Sequence, residues 1–250
     1  MLNAMPTTPE PGAAPETIFE TRRLNAFYGR AQILFDISLT VKRGEIVALM
    51  GRNGAGKSTT LKSIMGLVTA SAEMLAFKGI DIGELAPFRI ARAGLGYVPE
   101  ERRIFTDLTV YENLEIGRRA APKGRAAWEP QRLFDIFPNL AEMQGRRASA
   151  MSGGEQQMLT IARTLMGNPE MVLLDEPSEG LAPVIVEEMA EAVMRMKEEG
   201  IAVLLSEQNL HFASAVSDRA VVIEKGAVRF TGTMDELAGN DAVRAAYLSV

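Results

Sequence analysis

Residues 51–58, Gly51-Arg52-Asn53-Gly54-Ala55-Gly56-Lys57-Ser58, combine the residue types and spacing of a phosphate cradle. Gly51, Gly54 and Gly56 let the backbone turn through dihedrals closed to other residues and approach an anion closely. Successive N–H groups and a helix N-terminus can then converge on phosphates. Lys57 is placed to reach the β- and γ-phosphates. Ser58 offers a hydroxyl to Mg²⁺, which bridges those phosphates and neutralises the charge that develops on transfer. Asn53, Ala55 and Thr59 fill out the loop and its first helical turn and are counted with it as ATP-binding positions. Two further groups could complete a phosphoryl-transfer site. Asp175 suits the Mg²⁺ shell, usually through water, and Glu176 suits a general base that orients and deprotonates the attacking water. Ser152-Gly153-Gly154-Glu155, 23 residues before the pair (175 − 152), reads both as a capping box and as a second anion site. The two glycines expose N–H groups at a positive helix end, with no lysine of their own.

These groups need rigid elements behind them. Glu45 to Met50 and Met171 to Leu174 are short apolar runs that read as buried strands, each delivering a loop to the end of a parallel sheet where α/β proteins bind ligands. Alternation along the second strand predicts that Asp175 and Glu176 face differently. Leu61, Ile64, Met65 and Val68 give the helix behind the phosphate loop. Met158, Ile161, Ala162, Leu165 and Met166 give the helix behind Ser152, and Val184 to Met196 a third, closed by Gly200 before a buried strand at Ile201 to Leu205. Ile37, Leu39 and Val41 alternate as in a half-buried strand, which predicts an antiparallel β subdomain there. Strand signals fade from Glu101 to Asn168, where Thr109-x-x-Glu112 opens a helix and another runs from Trp128 to Phe137, so an inserted helical subdomain spans about 101–168. Residues 1–17, with Pro6, Pro9, Pro11 and Pro15, read as a disordered tail rather than a signal peptide, leaving 18–250 as the folded unit. The fold class expected is α/β, a P-loop NTPase core with a mostly parallel sheet, an antiparallel β subdomain and the helical insertion.

With its motifs in this order, the chain resembles the ATP-binding subunits of ABC transporters from about Phe19 to Val250. The resemblance implies that Tyr28 stacks on adenine. It also implies a head-to-tail pair of ATPases in which Ser152, Gly153, Gly154 and Glu155 act in trans on the nucleotide held by the other subunit. Three departures narrow it. Glu100 stands where most relatives have a Mg²⁺-sensing glutamine, and an oxygen ligand is kept. Gln208 stands at the usual switch histidine, leaving His211 inside the next helix. Ala182 replaces a common aspartate. Together these look like the branched-chain amino-acid importer ATPases, specifically one of that system's two ATP-binding subunits, with urea and short-amide importers as close relatives. The catalytic set implied is Lys57, Glu176 and Gln208, with Ser58, Glu100 and Asp175 around Mg²⁺. Partners implied are a sister ATPase, two membrane permease subunits and, indirectly, a secreted substrate-binding protein, at the cytoplasmic face of the inner membrane. Arg102 and Arg103 read either as solvated surface or as docking residues for a membrane-subunit helix.

Composition agrees. A net charge of −5 from 27 Lys+Arg and 32 Asp+Glu offers no basic field for nucleic acid. The chain has no cysteine, hence no disulfide or thiolate metal site. No apolar run approaches the roughly 18 residues that span a bilayer, so a pore would lie on other chains. The 14 methionines sit largely at helical core spacings. A soluble ABC-type protein of translation or DNA repair is the alternative class. Its relatives carry two cassettes or interrupt theirs with coiled coils, whereas this chain has one uninterrupted cassette.

Overall fold

The computed structural model describes residues 16–122 and 124–248. The proline-bearing stretch assigned to a tail therefore lies outside the described residues, except that strand β1 already begins at Thr17. From there the chain runs β1 (Thr17–Tyr28), β2 (Ala31–Lys42), β3 (Ile46–Met50), α1 (Lys57–Ile64), β4 (Thr69–Ser71), β5 (Met74–Phe77), β6 (Ile80–Asp81), α2 (Pro87–Ala93) and β7 (Leu95–Val98). Helices α3 (Val110–Gly117), α4 (Pro130–Ile136), α5 (Pro138–Glu142) and α6 (Gly153–Leu165) follow. The chain closes with β8 (Met171–Asp175), α7 (Pro183–Glu198), β9 (Ala202–Glu207), α8 (Leu210–Val216), β10 (Arg219–Glu224), β11 (Ala227–Thr233), α9 (Met234–Ala238) and α10 (Asp241–Tyr247).

Two sheets form, and the hydrophobic pattern says why they differ. Strands β3, β8 and β9 are apolar runs buried at every residue, the signature of strands covered on both faces. They are the centre of a six-stranded sheet, β11-β10-β3-β9-β8-β7, parallel except for the β10–β11 hairpin. The other sheet, β2-β1-β5-β6 with β4 on β1, is antiparallel, and along β2 Ile37, Leu39 and Val41 alternate inward. Its inner face and α1 pack on one side of the parallel sheet against Val47, Leu49, Leu173 and Leu204. The residues that alternate with them, Ala48, Met50, Leu174 and Val203, belong to a second core with α3 to α8. The parallel sheet is thus the shared middle layer.

Helices α3 to α6 occupy the region 110–165, with no described strand between β7 and β8. Thr109 caps α3 through a complete capping box. The edge strand β7, the short strands β4 to β6 and β11 are not legible from periodicity, because each is short or half-exposed, although β10 carries a buried apolar run, Ala220 to Ile223, like that of β3.

Candidate functional site

The loop between β3 and α1 is held open by glycine and pinned by backbone. Gly56 caps α1 in the left-handed region at φ 110°, where a Cβ would come within 2.8 Å of Leu34 Cδ2. A Cβ on Gly51 would lie 2.5 Å from the Ile223 carbonyl oxygen. Gly226 N–H donates to Ala55 O at 2.8 Å, fixing the loop to the β10–β11 turn. Lys57, buried, turns its amine under the loop, donating to Gly51 O at 2.9 Å and Arg52 O at 3.2 Å and pairing with Glu176 Oε1 at 2.9 Å.

Asp175, the last residue of β8, is fully buried and held by three hydroxyls. Ser58 Oγ and Ser206 Oγ donate to its Oδ1 at 2.8 and 2.7 Å, and Tyr97 Oη donates to Oδ2 at 3.1 Å. Burial and the adjacent Asp175 charge push the Tyr97 hydroxyl above its ordinary pKa, so it stays a donor. The pair of oxygens at Ser58 and Asp175 suits Mg²⁺, an oxygen-seeking ion whose adjacent octahedral ligands stand about 2.9 Å apart.

Glu176 differs from the strand-alternation expectation. It lies one residue past β8 with φ +46°, a left-handed conformation that costs a non-glycine residue on the order of 1 kcal/mol, so a turn and not the pleat sets its direction. Its N–H donates to both Ser206 O and Ser206 Oγ at 3.1 Å, which holds the turn. The carboxylate comes back over the phosphate loop, where Oε1 meets Lys57 and Oε2 accepts from Gln208 Nε2 at 2.9 Å. Burial pushes the Glu176 carboxyl up. Hydrogen bonds with Glu179 and Lys57, the Lys57 charge and Gln208 outweigh it and hold the group below its ordinary value. Glu179 is raised to about 7, first by its hydrogen bond to Glu176, then by burial and by the charges of Glu176 and Glu100. Below about pH 7 Glu179 is therefore the protonated partner of the two carboxyls and donates to Glu176.

A cleft of ≈ 590 Å³ opens over these groups, lined by Tyr28, Ile33, Asn53, Gly54, Gly56, Lys57, Ser58, Thr59, Glu100, Glu176 and Glu179. Sequence reasoning named nine of these eleven, omitting Ile33 and Glu179. Gly51 and Ala55 are buried parts of the loop itself, and Asp175 sits behind Ser58. Gln208 reaches the cleft through Glu176, whereas His211 is exposed in the first turn of α8. Sequence reasoning leaves Ser206 and Glu207 without a role in the turn after a strand at Ile201 to Leu205, whereas β9 runs on to Glu207 and carries both. Glu207 is buried and accepts from the N–H groups of Ser178, Gln208 and Asn209 at 3.0–3.1 Å, so it braces the loops on both sides.

Ser152 and Glu155 form the complete capping box at the start of α6, Glu155 N–H donating to Ser152 Oγ at 3.3 Å and Ser152 N–H to Glu155 Oε2 at 2.6 Å. A cation stands beside the two glycines after all. Arg102, in the left-handed region at φ +48°, lays its guanidinium against Gly153 where a Cβ would go, and donates to Glu179 O at 3.2 Å. Neither Arg102 nor Arg103 lines the apolar groove of ≈ 510 Å³ beside β7. That groove is walled by Leu67, Phe88, Tyr97, Phe105 and Ile116, with Arg119 and Arg163 as its cations. Arg163 stacks 5.0 Å from the Phe105 ring centroid, and its Nη1 has no partner among the described residues.

The profile described as "ABC transporter" matches residues 34–179. The chain is similar to the high-affinity branched-chain amino acid transport ATP-binding protein BraG of Pseudomonas aeruginosa, 42% identical over 90% of this chain and 97% of that one. It is also similar to the probable branched-chain amino acid transport ATP-binding protein LivF of Archaeoglobus fulgidus, 36% identical over 88% and 94%. Among solved structures, an ATP-binding subunit of an ABC transporter superposes with a TM-score of 0.78 at 30% identity, covering 93% of this chain and 96% of that one.

Proposed function

This chain belongs to the ABC transporter family and hydrolyses ATP, and we propose that it energises an importer for branched-chain amino acids as one of two different ATP-binding subunits. The observation that carries the choice of cargo is the 42% identity with BraG over nearly the full length of both chains. The markers Glu100, Gln208 and Ala182 support the same subfamily.

In this reading Tyr28 stacks on adenine, and the N–H groups of residues 51–59 with Lys57 cradle the phosphates. Arriving γ-phosphate oxygens compete with Glu176 for Lys57, which frees the Glu176 carboxylate to take a proton from the attacking water while Gln208 orients it. Ser58 and Asp175, with Glu100 at the rim, would hold Mg²⁺, which when bound offsets the negative charge of the β- and γ-phosphates. Ser152, Gly153 and Gly154 close over the nucleotide of the sister subunit, where α6 offers its N-terminus. Two membrane permease subunits supply the pore, because no helix among the described residues is long and apolar enough to cross a membrane. The groove beside β7 receives a helix from one of them, and the chain works at the cytoplasmic face of the inner membrane, with a secreted protein delivering cargo outside.

Reconstitution tests this. The chain, its sister ATPase and the membrane subunits encoded with it are placed in proteoliposomes with the associated binding protein. ATP-dependent uptake of leucine, urea and acetamide is then compared. Leucine uptake supports the assignment. Uptake of urea or acetamide alone moves the chain to those relatives, and ATP turnover with none of the three excludes all of them as cargo.

A further inference from the structure

One side chain of the apolar groove, Tyr97, reaches the carboxylate that backs the nucleotide cleft. Among the described residues β7 is the edge strand, paired to β8 alone, with Tyr97 opposite Leu173. Side chains at i and i+2 of a strand stand on one face, so Tyr97 has Asp175 as its diagonal neighbour. Its ring walls the groove with Phe88, Phe105 and Ile116, while its hydroxyl donates to Asp175 Oδ2 at 3.1 Å. Asp175 is fully buried, and a buried carboxylate oxygen left without a donor is costly. Its Oδ1 takes two serine hydroxyls, whereas among the described residues Oδ2 takes that of Tyr97. A phenylalanine would fill the groove wall equally well. The hydroxyl serves only the carboxylate.

We propose that Tyr97 is a positioning residue for Mg²⁺: its hydroxyl holds the Asp175 carboxylate so that Oδ1 faces Ser58, making the wall of the groove part of the metal site. This rests on the Mg·ATP reading of Ser58 and Asp175 given above. Hydrogen-bond partners behind a metal ligand are commonly worth 10–100-fold in metal affinity, and the diagonal contact gives a groove occupant that shifts the ring a direct route to the carboxylate.

The test is binding of a fluorescent N-methylanthraniloyl ATP to the full chain, in excess Mg²⁺ and in EDTA. Tyr97→Phe is expected to weaken binding about tenfold in Mg²⁺ and to leave binding in EDTA unchanged. Phe105→Leu, which alters the groove without touching Asp175, should change neither. Equal weakening of Tyr97→Phe in both buffers, as from a merely structural role, overturns the assignment, as does no weakening in either. An unaltered chain that binds ATP equally well with and without Mg²⁺ overturns the metal site itself, and the role of Tyr97 with it.

Discussion

Glu176 holds two partners that a general base must exchange or exploit during turnover, Lys57 on one oxygen and Gln208 on the other. Glu176→Gln keeps the shape and removes the base. Steady-state hydrolysis should fall roughly 10²-fold or more while ATP still binds, and the variant should accumulate as an ATP-bound dimer on size exclusion. Wild-type turnover would remove Glu176 from the mechanism. Gln208→Ala takes away the amide on Glu176 and should cost about tenfold, the rate equivalent of about 1.4 kcal/mol. His211→Ala, at an exposed position on α8, should change turnover little, and the opposite pattern would reverse the assignment. Glu179 adds a pH dependence. Its pKa rises in the fold from 4.5 to about 7, so the stability it contributes is full below about pH 4.5 and is lost as pH rises through about 7. Glu179→Gln keeps a donor to Glu176 without the titration and should flatten the melting-temperature profile across that window. An unchanged slope would mean that the proton is not shared.

Helix α6 connects the Ser152 loop to the helical region through a close backbone approach. Gly117, at the end of α3, packs on the Arg163 backbone so tightly that a Cβ would meet its carbonyl oxygen. Gly117→Ala must therefore push α3 from α6, a backbone shift that costs about 1–3 kcal/mol, read as a lower unfolding midpoint in urea. A midpoint equal to wild type would show that the contact yields freely. The same helix depends on its cap, and the box that Ser152 and Glu155 form is satisfied within this chain. The serine thus serves folding here whatever it touches across a dimer.

At the scale of the whole molecule, the proposed head-to-tail pair would put Ser152 of this chain in the site built on the sister subunit's phosphate loop. Ser152→Arg should therefore silence the sister's site and spare the one built on Lys57. Single-turnover hydrolysis separates the two, using assemblies in which one phosphate-loop lysine at a time is replaced. Loss confined to the Lys57 site would refute the trans arrangement. Full transport with this ATPase alone would refute the two-subunit assembly.

The phosphate loop, β3, β8, α6 and α7 were legible in the sequence because their signals are local. Glycine spacing, an unbroken apolar run, a capping box and a 3.6-residue stripe each act within a few residues of chain. Tyr28, Glu100 and Gln208 came from resemblance rather than pattern, and the first two line the cleft while Gln208 touches Glu176. Only the tertiary structure decided the rest. The left-handed turn at Glu176, the Ser206 and Tyr97 hydroxyls on Asp175, and Arg102 against Gly153 all join segments tens of residues apart in sequence. Such contacts leave no periodic trace, because each is set by the register of the parallel sheet and by the need of buried polar groups for partners.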